Sequence, residues 1–528
     1  MTTPHPSASA RGLRLQSLAL AGALLVAPGA WAQEQNAPTS NTVDPVTGEA
    51  VEASPPAQAT PGPQAPPPPP PQKADPKLFE EALADYFARD PRDAAPKFYA
   101  YLEGAPQTDE NYAWAQYFLA KSLLDLKLTH AAGDYLARIA RERTNPQVLP
   151  KALDELRVLT DIPHDEITID EQIFGSLDLA FLPSETGAFA HYQQGMIALK
   201  VGNERWAENH FSKLDPETPE ASRAKFALLV TRLKRAKKID EGMITSFLEL
   251  SKDPKLTAEM RNEAMLAVAR LRYEREEFEG ALEAYSQVKL PPLDPGQATL
   301  YLEEAWTRYQ LGQIHAAMGL LTTLEAPSFR DEFLPDKYLL RAFIYRDLCH
   351  YLPAKRAAKE LNRRFADSLE AIRERQELTE DLRLRRAAMA TGATKRSADY
   401  LRALELEGER MGRFAGSFGE RLFSHLVKLY DLSRAEAQRV FQHELNEAVR
   451  HEADKLLRAS EQVRLMDYEV GLKLYERVKR GSKLVTAAEE KALEIDQVAF
   501  RFKGEYWNDE LRSFRFSLKS RCIEDTAK

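Results

Sequence analysis

The chain has 528 residues, of which 72 are Lys or Arg and 80 are Asp or Glu, giving a formal net charge of −8 at pH 7. This acidic balance argues against a nucleic-acid partner, because nucleic-acid binding needs a basic stripe. With only two cysteines, Cys349 and Cys522, the chain is not a disulfide scaffold and must rely on its own core. The two cysteines either pair in an oxidising compartment or stay as separate thiols.

The first 32 residues have the pattern of a secretory signal. Arg11 and Arg14 precede the apolar run Leu15–Ala27, which is too short to span a membrane, and Ala30-Trp31-Ala32 fits a signal-peptidase site. We therefore predict cleavage after Ala32 and export to the periplasm, with an uncleaved membrane anchor as the alternative. Because no cysteine lies near this point, we expect no lipid anchor, and no later apolar run is long enough to predict a membrane span.

Residues 33–76 are rich in proline, with an unbroken run at Pro66–Pro71. A segment of this composition cannot bury a core, so we predict that it is disordered or extended as polyproline II. It is either a passive spacer or a ligand for a proline-recognising groove.

A repeat of about 37 residues extends over residues 77–368. In most units a small or apolar residue is followed twelve positions later by another, and four positions after that by a third residue, which is usually bulkier. The clearest copies are Gly195–Ala207–Phe211, Ala269–Ala281–Tyr285, Ala305–Ala317–Leu321 and Ala342–Ala354–Ala358. In the eight units the first position of this pattern falls at Leu83, Ala120, Arg157, Gly195, Arg232, Ala269, Ala305 and Ala342. Such a period predicts stacked helical hairpins, because a single hairpin cannot bury its apolar face alone.

Four stretches resemble the tetratricopeptide repeat, namely His191–Pro216, Ala264–Pro292, Tyr301–Pro327 and Tyr338–Phe365. The resemblance implies an all-α fold in which TPR-like helical hairpins form a right-handed superhelical array, followed here by a C-terminal long-helix or coiled-coil domain. Ile169 and Ile244 stand where a small residue is expected. The units near residues 157 and 232 are therefore predicted to be helical but irregular.

In this family the first helix of each unit lines a concave face that binds partners. Carried over to this chain, the expected partner-binding residues are Tyr192, Met196, Lys200, Arg270, Tyr273, Trp306, Tyr309 and Arg346. Aromatic residues, Met and Arg are the types that dominate interface energetics. We expect Trp306 and Tyr309 to be exposed in the groove, whereas Phe189 and Phe343 on the same helices are expected in the core.

The region 369–497 contains long, charged stretches that predict long helices. Within residues 433–480, apolar or small residues recur with heptad spacing at Leu445, Val449, Leu456, Ala459, Val463, Met466, Val470 and Leu474. This seam predicts a coiled coil that closes in one of two ways. Either it joins a second chain or a partner helix, or it packs against a neighbouring helix of its own chain.

The last segment, residues 498–528, is aromatic, and Phe500/Phe502 and Phe514/Phe516 alternate with arginine. The alternation predicts short extended segments or a hairpin. Such a tail either folds back to bury its rings or docks on a partner. The exported layout and the stretch Gly504–Leu511 are similar to the periplasmic tetratricopeptide proteins of the myxobacterial gliding-motility machinery. That similarity implies a structural part of a trans-envelope complex.

The sequence holds no phosphate-binding loop, nucleophile elbow or paired Cys-x-x-Cys motif. His443, Glu447 and His451 share one helix face, but the two histidines are about 12 Å apart along a helix and cannot hold one zinc ion. The acidic run Asp165–Glu171 lacks the glycine of a calcium loop and is interpreted as an exposed connector. We therefore expect no enzyme activity, no cofactor and no metal.

These patterns predict a periplasmic scaffold that binds envelope proteins through its concave face, with a gliding-motility complex as the setting that the resemblance implies. The alternative is an assembly factor or chaperone for exported proteins, outer-membrane proteins or cell-wall enzymes. The charge distribution is compatible with a basic protein partner, because residues 33–369 carry a net charge of −12. Residues 370–528 carry 31 basic against 29 acidic side chains. A scaffold should have a fixed partner set, and a chaperone should bind many clients weakly.

Overall fold

The computed structural model describes residues 75–177, 184–291, 294–390, 392–479, 503–506 and 511–522. Within these ranges all regular secondary structure is helical and no β-strand occurs. None of the described helices is both long and apolar enough to cross a membrane. The predicted signal sequence, nearly all of the proline-rich segment and residues 480–502 lie outside the described residues.

The helices between Pro76 and Arg364 follow the chain, and each packs against the next. In order they are α1 Pro76–Phe87, α2 Pro91–Gly104, α3 Tyr112–Asp125, α4 Thr129–Glu142, α5 Val148–Leu159, a π-helical segment Ile167–Phe174, α6 Ser184–Lys200, α7 Glu204–Phe211, α8 Pro219–Arg235, α9 Glu241–Leu250, α10 Ala258–Glu274, α11 Phe278–Gln287, α12 Gly296–Gln310, α13 Ile314–Thr323, α14 Asp336–Asp347 and α15 Tyr351–Arg364. Helices two apart also touch, as α3 does with α1, α5 with α3, α8 with α6 and α14 with α12. Contacts to both the next helix and the one after it are typical of a helical repeat.

Six of the turns inside the hairpins share one backbone feature, a residue in the left-handed conformation. These residues have φ between 59° and 80° and are Arg89, Lys127, Gly202, Glu276, Gly312 and Cys349. Only two of the six are glycine, the residue for which this conformation costs least. The same turn geometry is therefore repeated along the chain, although only Gly202 and Gly312 indicate it in the sequence.

The small residues of the repeat lie where two helices cross closely. A Cβ atom on Gly195 would come within 2.2 Å of the Phe211 ring, so this position has room for glycine only. Ala269, Ala281 and Ala305 are completely buried. The packing logic of the repeat is confirmed at these crossings.

The two units predicted to be irregular are helical, and each departs from the others. After α5 the chain forms the π-helical segment, in which Ile169 is buried. The turn between α8 and α9 contains no left-handed residue, and Ile244 on α9 is buried. In both units isoleucine replaces the small residue at the helix crossing, and the connection between the helices differs from that of the other units.

Beyond the hairpins the chain forms α16 Ala366–Arg373, a 3₁₀ turn Leu378–Glu380, α17 Leu382–Ala388, α18 Gly392–Gly412 and α19 Ala415–Lys479. Gly419 breaks α19 near its start, with φ of 67° and ψ of 169°. The remainder of α19 would extend about 90 Å at about 1.5 Å per residue. This helix is long enough to contact distant parts of the repeat.

The long helix α19 packs against both the first and the last hairpin of the described repeat. Near its start, Phe418, Leu422 and Leu426 join the apolar core of α1–α5. In its middle, Leu445 and Val449 pack with Leu384 of α17. Farther on, a third set joins the core formed by α8–α15, namely Leu456, Ala459, Val463, Met466 and Val470.

The predicted heptad seam is therefore used inside the chain. Seven of its residues, from Leu445 to Val470, are buried against helices of the same molecule, and Leu474 is half-buried. Of the two alternatives for this seam, the described structure has the second, packing against neighbouring helices. The seam is not free to pair with another chain.

Residues 511–522 of the aromatic tail lie on α13 and the turn after α14. The amide N–H of Phe516 donates to the carbonyl of His315, and that of Arg521 donates to the carbonyl of Leu348. A Cβ atom on Gly319 would come within 1.7 Å of the Phe514 carbonyl oxygen, so the tail needs glycine beneath it. The tail folds back onto its own chain, without forming a strand in these residues.

A disulfide joins Cys349, in the turn between α14 and α15, to Cys522 at the end of the described tail. The bond closes a loop of 173 residues that includes all of α19. Of the two alternatives for the cysteines, the structure has the paired one. The covalent link fixes the tail beside the last hairpin.

Candidate binding site

The expected groove residues are mostly taken up by contacts within the chain. Trp306 and Tyr309 are 6% and 2% exposed, so the expectation that they line an open groove is wrong. The cause is the packing of α12 on α14, where the Trp306 ring lies 6.1 Å from that of Phe343 and the Tyr309 hydroxyl donates to Asp347. Phe343 is buried as predicted, and so is Phe189 on α6.

Met196, Arg270 and Tyr273 are also buried, and Tyr192 is half-buried. Arg270 forms a buried ion pair with Glu303 on the next first helix, at 2.8 Å. The Arg270–Glu303 pair and the hydrogen bond that the Gln310 amide donates to the Tyr273 hydroxyl connect successive units of the repeat. The three buried side chains are not available as a binding surface in this structure.

The remaining two expected groove residues pair with acidic side chains of neighbouring elements. Lys200 is 2.8 Å from Glu171 of the π-helical segment. Arg346 pairs with Asp347 and, at 3.2 Å, with Glu469 of α19. Both cations therefore join separate elements of the chain.

A cavity of about 360 Å³ lies elsewhere, between the second and third hairpins and the C-terminal helices. One wall comes from α4 and from the connection between α5 and the π-helical segment, and the other comes from α18 and α19. Its apolar surface includes Leu159, Ile162, Leu404, Leu432 and Val440. Clefts and cavities between packed elements are where proteins often bind ligands.

The charged residues of this cavity are predominantly acidic. Seven carboxylates line it against two arginines, Arg141 and Arg396, and no lysine. Four of the seven have cationic partners, in the pairs Asp134–Arg138, Glu166–Arg396, Glu171–Lys200 and Glu436–Arg439. The other three, Asp165, Glu407 and Glu444, form no ion pair with any residue that the structure describes.

Each of these three carboxylates is held in place by hydrogen bonds. Asp165 accepts from the amide N–H of Thr168 at 3.0 Å. Glu444 accepts from the Ser397 hydroxyl, and burial raises the pKa of Glu444 above its usual value. Such groups are fixed in position without an ion-pair partner among the described residues, so a bound cation would be favoured there.

Glu407 forms the centre of a polar joint between the repeat and the C-terminal helices. It accepts hydrogen bonds from the Thr129 hydroxyl, from the His130 amide at 3.0 Å and from the Tyr430 hydroxyl at 2.7 Å. Three donors around one buried carboxylate offset much of the cost of its desolvation. The joint therefore fixes α4 against α18 and α19.

His130 extends this joint with an arrangement that resembles a nucleophile and its base. Its Nε2 lies 2.7 Å from the Ser433 hydroxyl, and its Nδ1 lies 2.9 Å from the Tyr400 hydroxyl. However, burial lowers the pKa of His130, which weakens it as a base, and burial raises the pKa of Tyr400, which keeps that group neutral. Ser433 sits in the middle of α19, where the backbone N–H groups are used by the helix and none can stabilise an oxyanion. We interpret the three as a structural contact.

The acidic run Asp165–Glu171 was expected to be an exposed connector, and this is wrong. The run forms one wall of the cavity, and within it Ile169 and Asp170 are buried. His164 lies 3.4 Å from Asp170. Burial acts to lower the pKa of His164, but the nearby negative charge of Asp170 outweighs this and raises it.

Among the described residues no group of three or more His, Cys, Asp or Glu side chains could hold a metal ion. No protein-family model matches this chain, and no curated protein is similar enough to count as a relative. The function must therefore be argued from the geometry of the cavity.

Proposed function

We propose that this protein is a non-catalytic, exported scaffold that binds a basic segment of a partner protein in the acidic cavity. The observation that carries the proposal is the presence of three fixed carboxylates, Asp165, Glu407 and Glu444, that line a cavity with apolar walls and form no ion pair within the described part of the chain. The proposal moves the partner site from the first helices of the repeat to the junction with the C-terminal helices. It does so because the expected groove residues are occupied within the chain.

Lysine and arginine side chains have the chemistry that this cavity suits. Their aliphatic stems can cover apolar surface while the charged end reaches a polar partner. Here the stem would lie along Ile162 and Leu432, which are exposed and line the cavity, and the cation would reach Asp165 or Glu444. An anionic segment would meet the excess of carboxylates over arginines in the cavity and is disfavoured.

The proposed setting is the periplasm, on the basis of the N-terminal signal pattern. The similarity to the periplasmic proteins of a gliding-motility machinery suggests a trans-envelope complex as the assembly. An assembly factor or chaperone remains the second candidate. One cavity with carboxylates fixed by hydrogen bonds favours a defined partner segment over a range of unfolded clients.

Binding of synthetic peptides tests the proposal. A short peptide with several lysines and arginines should bind, and its counterpart with glutamate at those positions should not. Changing Asp165→Asn together with Glu444→Gln should weaken binding at least tenfold, or about 1.4 kcal/mol, because amides keep the hydrogen bonds but remove the charge. Fluorescence anisotropy would measure both affinities, and added salt should weaken the interaction.

The matched control is Glu279→Gln with Glu283→Gln, which removes two exposed charges from α11, far along the chain from the cavity residues. This variant should bind the basic peptide as the unchanged protein does. Equal binding of the basic and acidic peptides, or equal loss in both variants, would contradict the proposed site.

A further inference from the structure

The C-terminal part of α19 carries a second apolar stripe on the side opposite its buried seam. Leu465, Tyr468, Leu472 and Tyr475 are 47% to 67% exposed. Their spacing of three, four and three residues is that of a heptad seam. At about 100° per residue this stripe is centred roughly opposite Val463, Met466 and Val470, which face the core of the molecule.

We propose that this outer stripe, defined as Leu465, Tyr468, Leu472 and Tyr475, pairs with the same stripe of a second copy of this chain in a parallel orientation. The inference is independent of the acidic cavity. It also differs from the predicted coiled-coil seam, which is buried within the chain.

Charge complementarity favours a second copy in the parallel orientation. With Leu465 and Leu472 at heptad position a, Arg464 occupies g and Glu469 occupies e. In a parallel pair, residue g of one helix faces residue e of the following heptad in the other, so Arg464 faces Glu469 twice by symmetry. In an antiparallel pair the e positions face each other, which would bring Glu469 against Glu476.

The helix is already positioned for such pairing. Its inner seam is packed on α14 and α15, and Glu469 is held by Arg346 at 3.2 Å. Because the helix is ordered before association, little conformational entropy is lost on binding. The stripe is short, and the area that it buries should fall below the ~1,200 Å² of a stable interface, so we expect a weak, reversible dimer.

Sedimentation of the processed chain, residues 33–528, tests the inference. We expect a monomer–dimer equilibrium with a dissociation constant of about 1 to 100 µM. Leu465→Glu with Leu472→Glu should raise that constant more than tenfold, since it places four charges in the seam. Leu406→Glu changes an exposed leucine of α18 and should leave it unaltered.

A cysteine at Tyr468 tests the orientation. In a parallel pair, equivalent d positions face each other, so Tyr468→Cys should form a disulfide between two chains under mild oxidation. Leu406→Cys should not do so. The native cysteines are already joined to each other, which leaves one free thiol in each variant.

Three results would overturn the inference. A monomer at about 100 µM with Tyr468 and Tyr475 shielded from solvent would show that residues 480–502 of the same chain cover the stripe. If the variant Leu465→Glu with Leu472→Glu still dimerised with an unchanged dissociation constant, the dimer interface would lie outside the outer stripe. Dimerisation without the Tyr468→Cys crosslink would exclude the parallel orientation.

Discussion

Glu263 on α10 is a carboxyl group whose surroundings disfavour its charge. Burial raises its pKa from 4.5 to about 7, although the positive charge of Arg270 acts in the opposite direction. Its Oε2 is buried and has no hydrogen-bond partner among the described residues. The folded state therefore binds a proton at Glu263 more tightly than the unfolded state does.

The sign of the pH dependence follows from that difference. Because the folded pKa is the higher one, the stability linked to Glu263 is present at low pH and lost as pH rises from about 4.5 to about 7. Glu263→Gln removes this loss and should make the protein more stable than the unchanged chain at about pH 8, by about 1 to 3 kcal/mol. At about pH 4.5 the two should be equally stable.

Urea unfolding at both pH values would measure this. The control is Glu279→Gln, which changes an exposed carboxylate on the next helix, α11. That variant should follow the pH dependence of the unchanged chain. A Glu263→Gln variant with an unchanged pH dependence would mean that the carboxyl is solvated in the folded protein.

For single residues, the range of the contact explains which packing roles could be predicted from the sequence. The crossings Gly195/Phe211 and Ala269/Ala281 were predictable, because a local repeat requires small residues at fixed positions. The burial of Trp306 and Tyr309 was not, because it depends on how closely α12 approaches α14. A family resemblance gives the face of a helix but not the distance to its neighbour.

Among the elements, the C-terminal tail depends on a single residue, Gly319, for its docking on α13. Residues 511–522 pass so close to α13 that Gly319 cannot accept a side chain. Arg512 of the tail pairs with Glu304, a buried carboxylate on α12, at 3.1 Å. The tail is therefore part of the folded body and supplies a counter-charge to its interior.

Gly319→Ala should displace the tail. The new methyl group would overlap the Phe514 carbonyl, so the hydrogen bonds from Phe516 to His315 and from Thr323 to Leu511 should be lost. We expect a loss of about 1 to 3 kcal/mol in the free energy of unfolding. Hydrogen exchange of residues 511–522 should accelerate, although the disulfide keeps the end of the tail attached.

Gly412→Ala is the control for this variant, because a Cβ atom there would meet nothing within 4 Å. It should leave exchange in the tail unchanged. Slow exchange of the Phe516 amide in the Gly319→Ala variant would show that the tail is not docked on α13 as described.

The helix α19 shows why elements are easier to predict than their partners. Its heptad spacing predicted a long helix with an apolar seam, and the seam is there. Heptad spacing does not tell whether the partner surface belongs to the same chain. The answer lies in Leu361 and other buried residues of α15, which the repeat itself leaves uncovered and α19 covers.

On the scale of the whole molecule, the acidic repeat and the more basic C-terminal region of the chain pack against each other. Several cations of the C-terminal region pair with carboxylates of the repeat, in the pairs Arg396–Glu166, Arg421–Glu103, Arg386–Glu332 and Arg512–Glu304. The acidic repeat thus already has one basic partner, the chain's own C-terminal region. In the cavity the carboxylates outnumber the cations that could pair with them.

The cavity could not have been predicted from the sequence. Its two walls come from residues 129–172 and 393–444, which are more than two hundred positions apart. Neither wall has a motif, and the acidic run at 165–171 becomes informative only when Tyr400 and Glu444 face it. A repeat pattern reports contacts between neighbours in sequence, and this site depends on a distant contact.

Site-specific photocrosslinking in the native cells tests the central claim most directly. A photoreactive residue would replace Leu432 or Ile162, which are exposed and line the cavity, or Leu406 on α18 as the control. The proposal predicts that both cavity positions crosslink to one lysine- or arginine-rich segment of an envelope protein, and that Leu406 does not. Crosslinks of equal yield at all three positions, or cavity crosslinks to many unrelated exported proteins, would contradict it.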